Sequence, residues 1–252
     1  MSFFSKLLFP PKCASCSTLL DFECADDMAL CSACKKLWES ECHETCGVCA
    51  KEVGNCSCLT ERMQKAKCKG FYKRVYYVPG KRTQVQNRLI YTVKQTRDQR
   101  TVDFFARELL ESVQGVIKEE KILAEDVVLT YIPRGNLAKL QYGTDQAKEL
   151  ARALSKLSSL PIHVLIQRKR GRANSQKKLD PVARYKNAKA SFAPVSKFEG
   201  HLQGKTVFLI DDIVTTGASM AVCTRLLRKM GAREVYAFAI ASDILNRDRS
   251  VY

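Results

Sequence analysis

Apolar positions along this chain alternate between short unbroken runs and stripes spaced by three and four residues. Val207 to Ile210 (VFLI) and Asp126 to Pro133 (DVVLTYIP) are runs suited to parallel strands buried on both faces. Arg74 to Val78 (RVYYV) and Ile162 to Ile166 read as two more strands. Between the runs lie helical stripes. Val85, Leu89, Ile90 and Val93 mark a basic helix, and Phe104, Phe105, Leu109, Leu110, Val113 and Val116 a longer one. Gln146, Leu150, Ala151, Leu154 and Leu157 follow a cap at Thr144 or Asp145. Met220, Val222, Leu226, Leu227 and Met230 form the last stripe, stopped by Gly231. Strands alternating with helices predict an α/β domain with a doubly wound parallel sheet, whose ligands sit beyond the carboxyl ends of the strands.

The richest segment is Val207 to Ser219, VFLIDDIVTTGAS. Asp211 and Asp212 fall where the apolar run should end, and Thr215, Thr216, Gly217, Ala218 and Ser219 turn the chain into the last helix. Such a turn points free backbone N–H groups at an anion, and the helix dipole favours phosphate there. Paired carboxylates beside it suit a ribose diol or an outer-shell magnesium ion. Phosphate, ribose and metal in one loop make a sugar-phosphate site. No Gly-Lys-Ser/Thr ending follows Gly217 and no G-x-G-x-x-G is present, which removes the P-loop and dinucleotide alternatives. The bland alternative is a buried strand whose acidic end caps the next helix.

Charge sharpens this picture. The 252 residues carry a net +16, concentrated in two places. Arg62 to Arg100 holds 12 Lys/Arg against Asp98 alone, and Leu165 to Ala190 holds 9 against Asp180 alone, leaving the rest slightly acidic. This points to a polyanion, either nucleic acid or a multiply phosphorylated small molecule, in preference to plain solvated faces. In the first cluster Phe71, Tyr72, Tyr76, Tyr77 and Tyr91 interleave with Lys73, Arg74, Lys81 and Arg82, as in platforms that stack single-stranded bases. Core packing is the preferred reading for most of those rings. The stretch from Gln167 to Phe192 is polar and cationic, a basic lid or a surface linker. No run of eighteen apolar residues occurs, and MSFFSKLLFPP lacks a small-residue cleavage site, so a cytoplasmic protein is expected.

Eleven of the 12 cysteines precede residue 69. Cys13-x-x-Cys16 and Cys31-x-x-Cys34 have zinc-ribbon spacing. Cys46-x-x-Cys49 followed by Cys56-x-Cys58 offers a second set, with Cys42 or His43 as alternative ligands because the last pair is tight. Disulfides are the rival, and they need an oxidising compartment. The segment has few large apolar residues, so metal ligation would supply much of its folding energy. A shell filled by four thiolates leaves no open position, which makes these zincs structural.

Every position from Val207 to Ser219 resembles the PRPP (5-phosphoribosyl-1-diphosphate) loop of type I phosphoribosyltransferases. With the cysteine segment ahead of it, nearly the whole chain resembles the ComF-type competence proteins: a zinc module over 1–60, a basic connector and start of the α/β domain over 61–101, and a phosphoribosyltransferase-like domain over 102–252. That resemblance implies a lid carrying Gln176, Arg184 and Asn187, with Phe192 beyond. It departs at Gly143-Thr144-Asp145-Gln146, which lacks the family's aromatic, at the tight Cys56–Cys58 pair, and in a longer interval around Val113 to Ala124.

If the chain is an enzyme, magnesium-bound pyrophosphate would leave C1 of PRPP as a nitrogen nucleophile arrives. Asp211 and Asp212 would hold the ribose hydroxyls and stabilise the charge that builds on the ring. Thr215 to Ser219 would hold the 5-phosphate, and Arg134, Gly135 and lid cations such as Lys169, Arg170 or Lys178 the pyrophosphate. The alternative keeps the PRPP fold as a binding or regulatory platform in a protein that handles single-stranded DNA through Lys73, Arg74, Lys81 and Arg82. The resemblance further implies a place in natural competence and DNA uptake, with competence-machinery partners such as a helicase. No segment reads as the hood that selects an acceptor base.

Overall fold

In the computed structural model, β5 (Thr206–Val214) and β6 (Glu234–Asp243) lie side by side at the centre of a four-stranded parallel sheet. The structure describes residues 10–20, 28–78, 84–95, 98–135, 145–169, 185, 188–198 and 200–243. Outside them fall Cys24, Lys81, Arg82, Gly143, Thr144, Arg170, Gln176, Lys178, Arg184 and Asn187. The sheet order is β1-β6-β5-β2, with β1 at Gly70–Tyr77 and β2 at Val127–Tyr131.

Helices cover both faces. On one side lie α3 (Val85–Gln95), α4 (Gln99–Glu119) and α5 (Gln146–Ser158), and on the other α2 (Glu61–Lys65) and α6 (Ala218–Lys229). β6 shows why both faces close. Tyr236, Phe238 and Ile240 fill the α3–α5 side, whereas Val235, Ala237 and Ala239 present small side chains to the α6 side. Alternating bulk lets a helix approach closely on one face while aromatic rings fill the wider space on the other. The pattern of runs assigned no element to this strand, because its alanines dilute the apolar signal.

Three other elements differ from expectation. β1 begins at Gly70 and ends at Tyr77, shifted towards the N-terminus from 74–78. β5 continues through Asp211 and Asp212 to Val214, since Asp211 pairs with Ala239 and Ile213 with Ala241 of the longer β6. Its carboxylates therefore ride on a paired strand. The strand expected at 162–166 reduces to one bridge, Ile162 to Leu129. Ile166–Arg168 (β3) instead pairs antiparallel with Phe192–Pro194 (β4), so the two ends of the cationic stretch meet.

The cysteine segment is built on two matching turns. The amide of Ser17 donates to the Cys13 carbonyl and that of Ala50 to the Cys46 carbonyl, both at 2.9 Å, and both residues are left-handed at φ 63 and 57. α1 (Ser32–Cys42) then lays Trp38 against Phe104 and Phe105 of α4, with centroids 5.4 and 5.5 Å away. The Trp38 indole N–H donates to Glu108 at 2.9 Å. The apolar residues this segment lacks are supplied by α4.

Candidate functional site at the carboxyl edge of the sheet

β2 and β5 are hydrogen-bonded neighbours, so the loop leaving β2 must pass the end of β5. The Ile132 amide still donates to the Ile210 carbonyl at 3.0 Å, and two residues later Arg134 Nη2 meets Asp212 Oδ2 at 2.5 Å. Asp145 heads α5, yet its carboxylate makes no cap bond there. It accepts from the Arg134 amide at 3.0 Å and so ties the 132–135 loop to the next helix. Asp211 and Asp212 each accept from the following amide at 2.9 Å, which orients both carboxyls. Burial, and then the Asp212 carboxylate beside it, push the Asp211 carboxyl well above the ordinary range.

Beyond β5, Thr215 and Thr216 are half-buried and Gly217 takes the left-handed φ of +69 at the start of α6. The 12-residue α6 directs its N-terminus at this edge, with Ala218 buried and Ser219 half-exposed. A Cβ on Gly217 would lie 2.4 Å from Thr60 Oγ1 and 3.2 Å from Met63 Sδ, so glycine is demanded both by conformation and by close approach. A small apolar cleft lies beside Asp212, walled by Ile90, Phe105, Leu150 and Ile240.

Arg168 joins this group, although the motif reading passed over it. Its Nε donates to the Pro133 carbonyl at 3.2 Å, its guanidinium lies 4.8 Å from the Phe192 ring, and a Cβ on Gly135 would lie 3.5 Å from its Nη1. Burial lowers its pKa, with Cys223, Asp211 and Asp145 acting in the opposite direction. The signal was available: Arg168 shares a strand face with buried Ile166, two residues before it. Lys169 is exposed, and its amide donates to Ser191.

The thiolates form two separate groups. In each of Cys13, Cys16, Cys31, Cys34 and Cys46, Cys49, Cys56, Cys58, the four sulfurs lie within 4.8 Å of one another. Cys16 to Cys31 is 3.6 Å and Cys46 to Cys56 is 3.4 Å, far beyond a disulfide bond. A tetrahedral zinc with ligands at about 2.3 Å sets its sulfurs about 3.8 Å apart, so both groups fit that ion. Cys42 and His43 face elsewhere, Cys42 towards Glu108 and His43 onto Glu52 at 2.9 Å.

The DNA-facing expectation needs correction at two residues. Lys73 is 3% exposed, with Nζ donating to Cys56 Sγ at 3.2 Å and lying 5.2 Å from the Phe71 ring. Arg74 is bound by Glu108 at 3.1 Å and Glu111 at 3.3 Å. Both cations neutralise internal charge, because β1 carries them into the seam between the cysteine segment and the sheet. Phe71 and Tyr76 are buried, and Tyr72 stacks on Phe238 at 5.3 Å. Lys81 and Arg82 lie outside the described residues.

Residues 142–249 match the family model of the phosphoribosyl transferase domain, and they include β5, its loop and α6. Ribose-phosphate pyrophosphokinase of Synechococcus elongatus is 29% identical over 132 residues, covering 50% of this chain and 34% of that protein. Competence protein F of Haemophilus influenzae is 27% identical over 137 residues, 54% of this chain and 58% of that protein. The matches thus span from about a third to under two thirds of these relatives' length. A purine phosphoribosyltransferase structure from Pyrococcus horikoshii is 22% identical, the match covering 59% of this chain and 75% of that one with a TM-score of 0.32. Residues 142–249 are thus similar to a phosphoribosyl transferase domain, and they contribute β5 and β6 to the four-stranded parallel sheet. The chain's relation to Competence protein F and its two thiolate groups support assignment to the ComF-type family.

Proposed function

We propose that the chain binds PRPP with magnesium at the carboxyl edge of β5. One observation carries this reading: the Arg134–Asp212 pair ties the loop leaving β2 to the end of β5, six residues before α6 begins. A cation for pyrophosphate, two carboxylates for the ribose hydroxyls and a helix N-terminus for the 5-phosphate converge there. Thr215, Thr216, Gly217, Ala218 and Ser219 hold the 5-phosphate; Arg134, Gly135 and Arg168 approach the pyrophosphate, with Lys169, Arg170 and Lys178 of the lid stretch as further cations. The names of the pyrophosphokinase relatives, which join ribose phosphate to pyrophosphate, support the same class of ligand.

Magnesium, when bound, neutralises the leaving pyrophosphate. In turnover the C1–O bond breaks with its electron pair going to pyrophosphate, an acceptor nitrogen bonds to C1, and that nitrogen loses a proton. Asp211 and Asp212 hold the ribose while positive charge develops on its ring. A part in competence rests on the relation to Competence protein F; DNA uptake extends that reading, and DNA contact through Lys73 and Arg74 forms no part of it.

Calorimetric titration with PRPP and magnesium tests the binding. Asp211→Asn with Asp212→Asn keeps shape and removes both ionisable carboxyls, and should abolish it. Unaltered PRPP binding by this double variant refutes the reading. Pyrophosphate release, followed with each nucleobase in turn, tests turnover.

A further inference from the structure

The contact beneath the phosphate loop comes from the cysteine segment. Thr60 is two residues beyond Cys58, a span of about 7 Å at most even when extended. Thr60 caps α2, accepting from the Met63 amide at 3.4 Å, and Met63 is fully buried in the core shared with Ala218 and Val222 of α6. Both side chains close on Gly217, where the 2.4 Å approach of Thr60 Oγ1 to a hypothetical Cβ leaves no slack. The segment is pinned upstream as well. The Phe71 amide of β1 donates to the Ser57 carbonyl at 3.1 Å, and Lys73 donates to Cys56. One short, restrained stretch of chain therefore runs from the second thiolate group to the underside of the loop.

We propose that Thr60 is a positioning residue for the phosphate loop, and that metal at Cys46, Cys49, Cys56 and Cys58 is thermodynamically coupled through it to PRPP binding. This rests on the binding reading above. Metal fixes Cys56 and Cys58, which fixes where Thr60 and Met63 stand. The left-handed turn at Gly217 then has one place to sit, and the amides that follow it are preorganised for phosphate. Release of the metal frees residues 58–63 and lets the turn relax. Linkage is reciprocal, so bound PRPP must hold the second metal more tightly, typically by about 5- to 150-fold for a coupling of this kind.

The experiment is an equilibrium zinc competition between the full two-zinc protein and a chelating dye, with and without PRPP in excess magnesium. Calorimetry on the same sample records PRPP binding. Cys58→Ser, which lacks only the second site, assigns the two affinities. PRPP should tighten the second site at least about fivefold and leave the first unchanged. Thr60→Ala should keep both zincs and lose this selective tightening, and Thr60→Ser should restore it, a readout that a merely structural role would leave unmoved. PRPP that binds yet tightens neither site, or both equally, overturns the coupling. Absence of calorimetric binding refutes the PRPP reading, and the coupling with it.

Discussion

Lys73→Met removes one charge from the second thiolate group and little else. The methionine keeps most of the length of the stem against Phe71 and Tyr76, so the packing is largely conserved. Four thiolates around a divalent zinc carry a net charge of two negative units, and Lys73, 3% exposed, donates to one of those thiolates at 3.2 Å. A hydrogen bond to a charged partner contributes about 1.5–3 kcal/mol. At about 1.4 kcal/mol per tenfold, zinc affinity at this site should fall roughly 10- to 150-fold. Competition against a chelator of known affinity, with the Cys13–Cys34 group as internal reference, measures the change. A folded Lys73→Met protein that holds both zincs as tightly as wild type would refute the argument.

Metal analysis of the purified protein should return about two zincs per chain; a value of one would remove one thiolate group from the account. Because the folded state raises the Asp211 carboxyl, it keeps a proton where the unfolded chain has lost it. The stabilising contribution is therefore complete at low pH and disappears as pH rises through the folded value. Asp211→Asn should flatten that part of the stability–pH curve and raise the melting temperature near neutrality, as read by thermal unfolding across pH. Magnesium–PRPP affinity of the wild type should rise with pH over the same window, as the proton leaves; a flat profile by calorimetry would deny Asp211 its role. Leu89→Ala, at a fully buried site on α3, should cost about 2–5 kcal/mol in denaturant unfolding.

The amino-acid sequence determined the local terms of this protein. VFLI must be buried, Gly217 must bend, and paired cysteines at knuckle spacing must turn back on themselves. These follow from side-chain size, backbone freedom and short-range spacing, so the sheet class, the turn from β5 into α6 and both thiolate groups were legible from it. What the sequence could not specify was which charges meet. Lys73 and Arg74 read as surface cations because lysine and arginine usually are. Their burial depends on Cys56, Glu108 and Glu111 arriving from 17 to 37 positions away, a matter of packing that no local pattern encodes. The same holds for Arg134 on Asp212, 78 residues apart, and for Arg168, whose cation was one of many in a basic stretch until β3 set it beside the 132–135 loop. β6 was hidden for a related reason: its alanines are apolar by virtue of where they pack, against α6, rather than by their own bulk. Tertiary structure alone placed Thr60 under Gly217, because only the docking of α2 on α6 brings the two within van der Waals range.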